Sequence, residues 1–242
     1  GDLDLIVAGR TSTSPTASSK IYNNDGGVFT DINAGLPGLY LGSADWGDYD
    51  GDGDLDLLLA GFDDASGRVS VIYDNNNGSF SDHLAGLPGI ARGNASWGDY
   101  DNDNDLDILL VGDGPVLTYS TVFNNDAGVF TDITAAFPTT SDGGGTWADF
   151  DGDGFLDVMI TGFDFPSSDE ITDIFRNDGS GSFTNINARL DSIPNLGRAQ
   201  FIDYDGDGDI DIFVGGRVVP GKYPQTPRSY LLENQSRKFV DI

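Results

Sequence analysis

Five aspartates fall within nine residues at Asp48, Asp50, Asp52, Asp54 and Asp56, in the stretch DYDGDGDLD. The spacing returns at Asp99, Asp101, Asp103, Asp105 and Asp107, and again at Asp203, Asp205, Asp207, Asp209 and Asp211. A fourth copy, Asp149, Asp151, Asp153 and Asp157, carries Phe155 where the others have a further aspartate. Numbered from its first residue, every copy has Asp at positions 1, 3, 5 and 9. Alternate carboxylates on a tightly turned backbone converge on one point, where they repel one another unless a cation joins them. Ca2+ suits such a set, since it takes about 6–8 hard oxygen ligands. Mg2+ prefers a stricter octahedron with more water, and softer metals call for the His or Cys that these loops lack. About four Ca2+ sites are expected.

Position 7 is Asp54, Asp105, Phe155 and Asp209. Phe cannot ligate through its side chain, so position 7 is expected to offer its backbone carbonyl, as in an EF-hand loop. Position 6 is Gly53, Asn104, Gly154 and Gly208, the residue types that most readily take a positive φ in a sharp turn. Position 12, where an EF-hand places a bidentate Glu, is Leu59, Leu110, Ile160 and Val214. An apolar strand therefore follows the loop in place of a helix, and Asp at position 9 must complete the shell.

The elements that hold these loops also repeat. The loops begin at residues 48, 99, 149 and 203, and each is preceded by a ring, Trp46, Trp97, Trp147 or Phe201. A second motif recurs as IYNNDGGVFTDI (21–32), IYDNNNGSFSDH (72–83), VFNNDAGVFTDI (122–133), IFRNDGSGSFTNI (174–186) and LLENQSRKFVDI (231–242). It reads as strand, Asn-bearing turn and strand, which is a hairpin. GLPG at 35 and 86 links one unit to the next. Four strands in roughly 50 residues predict a β-propeller blade, and blades must stack to cover their apolar faces. The fold expected is all-β, a single propeller domain or fragment over 1–242 with about five four-stranded blades, at 1–42, 43–93, 94–143, 144–197 and 198–242. The recurring Trp and Phe slots are expected to fill its core. The first blade is incomplete in this register. Gly1, Asp2, Leu3 and Asp4 are positions 6 to 9 of a loop whose first half is absent, so a poor half-site is expected there, in a fragment of a longer repeat protein or in a ring closed by a strand outside this sequence.

The motif D-x-D-x-D-G-x-x-D followed by an apolar strand resembles the calcium loops of FG-GAP (VCBS-type) repeats, as found in the β-propeller of integrin α-subunits. The likeness spans essentially the whole chain. It implies a loop joining the innermost strand of each blade to the second, calcium held by the aspartates, and a role in adhesion. Asn102 and Asn104, standing for Gly, are a mild departure in the second loop.

Composition narrows the partners. The formal charge of −28 argues against nucleic acid or an anionic membrane surface. No apolar run approaches a membrane span, and Cys is absent, which removes disulfide and thiol chemistry. Strand alternation puts the aspartate loops and hairpin turns on one face and the variable loops on the other. Nine of the twelve basic residues lie in or beside those variable loops: Arg10, Lys20, Arg68, Arg92, Arg189, Arg198, Arg217, Lys222 and Arg228. That rim is the expected binding face for a protein or carbohydrate ligand. The expectation is an extracellular, secreted or surface-displayed binding module within a larger chain, not an enzyme. The rival readings are the propeller of a secreted polysaccharide-active enzyme and a purely structural repeat. No Ser/His/Asp set or nucleotide loop supports catalysis, and the single His83, in a slot that is Ile elsewhere, reads as a surface substitution.

Overall fold

A computed structural model describes residues 2–10, 16–164, 169–188, 190, 199–215, 228–235 and 238–242. Among these residues there are nineteen strands and no α-helix. The first sheet has three strands, β1 (Leu5–Arg10), β2 (Ala17–Asp25) and β3 (Val28–Asp31). Four four-stranded sheets follow. The second holds β4 (Leu39–Gly47), β5 (Asp56–Asp63), β6 (Gly67–Asn76) and β7 (Ser79–Asp82); the third holds β8 (Ala91–Gly98), β9 (Asp107–Asp113), β10 (Thr118–Asp126) and β11 (Val129–Asp132). The fourth holds β12 (Ser141–Ala148), β13 (Asp157–Asp164), β14 (Asp169–Asn177) and β15 (Phe183–Asn185), and the fifth β16 (Ala199–Ile202), β17 (Asp211–Val214), β18 (Tyr230–Asn234) and β19 (Phe239–Asp241). Every pairing is antiparallel and sequential, so each sheet is a meander of the β-propeller-like kind. The missing strand of the first sheet is its innermost one, as the repeat register requires.

The second strand of each unit is apolar on both sides because a neighbouring sheet covers each side. Leu57 and Leu59 of β5 join Ile21 and Ile6 of the first sheet. Leu58 and Ala60 point the other way, into a cluster with Ala95, Trp97, Ile108 and Leu110. Leu109 and Val111 then meet Val158 and Ile160, and Met159 meets Ile212 and Val214. Complete burial of such a side chain contributes about 1.5–3 kcal/mol, so these four interfaces form the core. The ends differ. Leu5 and Val7, in the slots of the fully buried Leu57 and Leu59, are 44% and 49% exposed, and Phe213, in the slot of buried Met159, is 44% exposed.

Close approach between sheets is set at the inner strands. A Cβ added to Gly47 would lie 2.7 Å from the Trp97 ring, and one added to Gly98 would lie 2.7 Å from Trp147. Each Trp therefore packs on the glycine that follows the Trp of the preceding unit. In the fourth sheet that glycine is Ala148, and the next ring is the smaller Phe201. Trp97 also stacks on Tyr49 at 5.5 Å and 2°. The ring before each loop and four of the five hairpin Phe residues are thus buried or half-buried, as expected, but Phe29 of β3 is 50% exposed.

Polar groups on the inner strands bind neighbouring strands together. Ser43 Oγ accepts from Ala95 N–H (2.8 Å), Asp45 Oδ2 accepts from Trp97 N–H (2.9 Å), and the Asn94 amide exchanges both bonds with the Gly145 backbone (2.8 and 2.9 Å). These groups line a cavity of about 580 Å³ between the inner strands. Strands β4, β8 and β12 each also carry a bulge, with Leu41, Arg92 and Asp142 at φ values of 56°, 55° and 51°. Replacing Gly98 with Ala should lower stability by about 1–3 kcal/mol through overpacking against Trp147. Gly9→Ala, where a Cβ meets nothing within 4 Å, should stay within about 0.5 kcal/mol in the same denaturant titrations.

Candidate metal centres

Each aspartate loop joins the inner strand of a sheet to the buried second strand, and its own hydrogen bonds shape it. Position 1 folds the loop over itself. Asp149 accepts from Asp153 N–H (3.0 Å) and Gly154 N–H (2.9 Å), Asp99 from Asp103 and Asn104 N–H (both 3.1 Å), and Asp48 from Gly53 N–H (3.1 Å). The expected positive φ at position 6 is present, at 95°, 76°, 94° and 95° for Gly53, Asn104, Gly154 and Gly208. Position 4 needs it as well: Gly51, Asn102, Gly152 and Gly206 lie between 61° and 78°. Asn102 does more than tolerate the turn, since its amide donates to the Gly154 carbonyl of the next loop (2.9 Å).

Position 9 is the keystone. Asp56, Asp107, Asp157 and Asp211 are all essentially buried. In each, Oδ2 accepts from the position-2 N–H of Tyr49, Tyr100, Phe150 or Tyr204, at 3.0–3.3 Å. Oδ1 accepts from the backbone N–H of the hairpin asparagine, Asn75, Asn125, Asn177 or Asn234, at 2.7–2.9 Å. One carboxylate thus closes the loop and docks the hairpin. In the first sheet Asp4 keeps the hairpin bond, to Asn24 N–H at 2.8 Å.

The structure brings positions 1, 3 and 9 together. Carboxylate oxygens of Asp48, Asp50 and Asp56 lie within 4.8 Å of one another, as do those of Asp99, Asp101 and Asp107, of Asp149, Asp151 and Asp157, and of Asp203, Asp205 and Asp211. Position 5 stands outside these trios. Asp52, Asp103, Asp153 and Asp207 each turn one oxygen to the position-7 N–H, at 2.8–3.1 Å. Position-7 side chains face the hairpin: Asp54 accepts from Asn77 N–H (2.7 Å), Asp105 from Ala127 N–H (3.3 Å), and the Phe155 ring covers Gly179. Asp2 does the same in the first sheet, accepting from Gly26 N–H (2.6 Å).

The trios fit a hard cation. Asp48 Oδ1 and Asp101 Oδ1 are buried without a hydrogen-bond partner, which leaves oxygens of positions 1 and 3 open for a ligand bond. Burial pushes the Asp56 carboxyl up to about 6 and those of Asp107 and Asp157 up to about 7. Hydrogen bonds from the asparagine and position-2 N–H groups oppose that rise, and the neighbouring aspartates add to it. A divalent cation would remove the conflict by favouring the charged forms.

Several participants escaped the reading of residue types. The hairpin asparagines look like turn formers, yet Asn125, Asn177 and Asn234 are buried and span two sheets. Asn177 Nδ2 donates to Leu156 O (3.1 Å) of its own loop and to Tyr100 O (2.7 Å) of the preceding one; Asn125 and Asn234 repeat the pattern. Their recurrence at the hairpin turn of every repeat was the available signal. His83 is not a bare surface substitution. Its Nδ1 meets the Tyr49 hydroxyl (2.8 Å) and its Nε2 donates to the Gly128 carbonyl of the next hairpin (2.9 Å), so it ties two sheets. Arg176 reaches into the third loop, with Nε 2.8 Å from Asp151 Oδ2 and Nη2 3.1 Å from Asp153 Oδ2.

Four of the basic residues read as a binding rim are engaged in ion pairs. Arg10 pairs with Asp64 (3.0 Å), Lys20 with Asp31 (2.7 Å), Arg92 with Asp142 (3.8 Å) and Arg228 with Asp241 (2.7 Å). Arg189, Arg198, Arg217 and Lys222 lie outside the described residues, as do 11–15, 165–168 and 216–227 of the variable loops.

Fold and site together define an acidic-loop β-repeat protein. The family model for the FG-GAP-like repeat matches residues 1–59, 48–110, 99–160 and 149–214. The chain belongs to that family. No curated protein matches it.

Two measurements probe these centres. Asn177→Ala strands two carbonyls and should cost about 2–3 kcal/mol, against about 1 kcal/mol for the half-buried Asn24→Ala, in chemical denaturation. In a chelator, the melting temperature should rise as pH falls from 8 to 5. Asp56, Asp107 and Asp157 hold protons in the fold that the unfolded chain, titrating near about 3.9, has released. Stability is accordingly lost as pH rises through about 6 to 7. Saturating Ca2+ should reverse the sign, because protons then compete with the cation.

Proposed function

We propose that this chain is a calcium-stabilised extracellular binding or adhesion module, built as a β-propeller whose five sheets are its blades. The observation that carries this reading is the fourfold convergence of three carboxylates, one of them buried, at the joint between loop and hairpin. Oxygen-only donors favour Ca2+, and sites of this kind outside cells have dissociation constants of about 10⁻⁴–10⁻³ M, matched to the calcium there. Positions 1, 3 and 9 would supply carboxylates, with position 5 and the position-7 carbonyl completing the shell. Four Ca2+ would offset eight of the 28 net negative charges.

Calcium in this reading is structural, and recognition falls to the face opposite the loops. The ion pairs at Arg10, Lys20, Arg92 and Arg228 offset much of the basic charge described on that face, which favours a protein or a neutral glycan over a polyanion. No helix of the described residues is long and apolar enough to cross a membrane. Chelation should lower the melting temperature by several degrees, and millimolar Ca2+ should restore it. Each site held at ten times its Kd adds about 1.4 kcal/mol. An unchanged melting temperature in EDTA would sink the calcium reading; a glycan array and pull-down with added Ca2+ test the binding face.

A further inference from the structure

We propose that Arg176 is a built-in counter-ion of the third acidic loop, so that this loop keeps its shape without metal and takes up Ca2+ more weakly than the other three. The inference rests on the calcium reading and sharpens it to individual sites. Arg176 occupies the residue before the hairpin asparagine, a slot held by Asn23, Asp74, Asn124 and Glu233 in the other units. In the second and third sheets the position-2 tyrosine holds that slot residue back. The Tyr49 hydroxyl donates to Asp74 (2.7 Å) and the Tyr100 hydroxyl to Asn124 (3.0 Å). In the fourth sheet position 2 is Phe150, which has no hydroxyl, and the slot residue is the one long cation among the five.

The consequence is geometric. With no tyrosine hydroxyl to hold it, Arg176 lies across the loop, its fork bridging Asp151 at position 3 and Asp153 at position 5 (2.8 and 3.1 Å). The Asp151 side chain is 0% exposed, so the pair is desolvated at its acidic end, where attraction to a guanidinium is strongest. Asp151 is also one of the three carboxylates that converge in this loop. Ca2+ must displace the guanidinium from it before binding. Charge works in the same direction, because the loop has four aspartates instead of five, with Phe155 at position 7. The Arg176 side chain is 41% exposed, so a route out to solvent is open to it. Three departures therefore coincide in one loop: Phe150, Phe155 and Arg176.

Calorimetric Ca2+ titration of the 242-residue chain should show one site at least about tenfold weaker than the rest, the scale of one charge placed beside a carboxylate. Arg176→Asn, which installs the residue found at position 124, should tighten that site about tenfold and lower the melting temperature in EDTA. Transplanting the pair into the third sheet, as Tyr100→Phe with Asn124→Arg, should weaken one further site and serves if the first variant fails to fold. An Arg176→Asn isotherm and chelated melting temperature identical to the unsubstituted chain overturn the proposal, while Ca2+ binding elsewhere persists. Absence of Ca2+ binding in every protein overturns the calcium reading itself, and this inference with it.

Discussion

A buried carboxylate at the ninth position of each loop carries the architecture. Asp56, Asp107, Asp157 and Asp211 each accept one backbone N–H from their own loop and one from the hairpin, so inner, second and third strands meet on a single side chain. Burying a negative charge is costly, and two neutral donors offset only part of that cost. The two further carboxylates beside it would make matters worse in isolation. They make sense as the rest of a cation's shell. In the proposed calcium-bound form, a cation would relieve both the repulsion and the desolvation within the loop.

The joint between sheets extends the same logic sideways. Asn125, Asn177 and Asn234 each donate both to their own loop and to the preceding loop's position-2 carbonyl, so the first three acidic loops are each fastened to two sheets. Further in, the alternating faces of β5, β9 and β13 bury Leu57 to Ala60, Ile108 to Val111 and Val158 to Ile160. Apolar packing holds neighbours together but is tolerant of small shifts. Hydrogen bonds at the rim fix the angle at which they meet.

Much of this was legible in the residues. Continuous apolar runs after each loop, the fifty-residue repeat and the ring before each loop all reported packing that any folded version must satisfy. Gly and Asn at position 6 reported a backbone angle that few other residues take. What escaped had a different character. An asparagine in a hairpin is ordinary turn chemistry, and its residue type does not say that it is buried or whose carbonyl it meets. Arg176 and His83 stand out within their slots, but their partners, Asp151 and Asp153 for the one and Tyr49 and the next hairpin for the other, are set by how strands and sheets lie against one another. Leu41 and Arg92 at positive φ defy their own preferences, because the bulge that holds them is imposed by the strand pairing. The basic rim looked free because the aspartates that neutralise it are distant in sequence: Asp64 lies 54 residues from Arg10 and Asp142 lies 50 from Arg92.

The ring-on-glycine contact has a bearing on how such a chain can evolve. Repeat proteins grow by duplicating and shuffling units, which presumes that any unit can follow any other. Here each unit carries a socket for the ring of its successor. Gly47 and Gly98 accept the indoles of Trp97 and Trp147, while Ala148 is followed by the smaller ring of Phe201. A duplicated fourth unit would set an indole against a methyl group. The order of the units is therefore written into the joints, and ring and socket must change together for a new arrangement to survive.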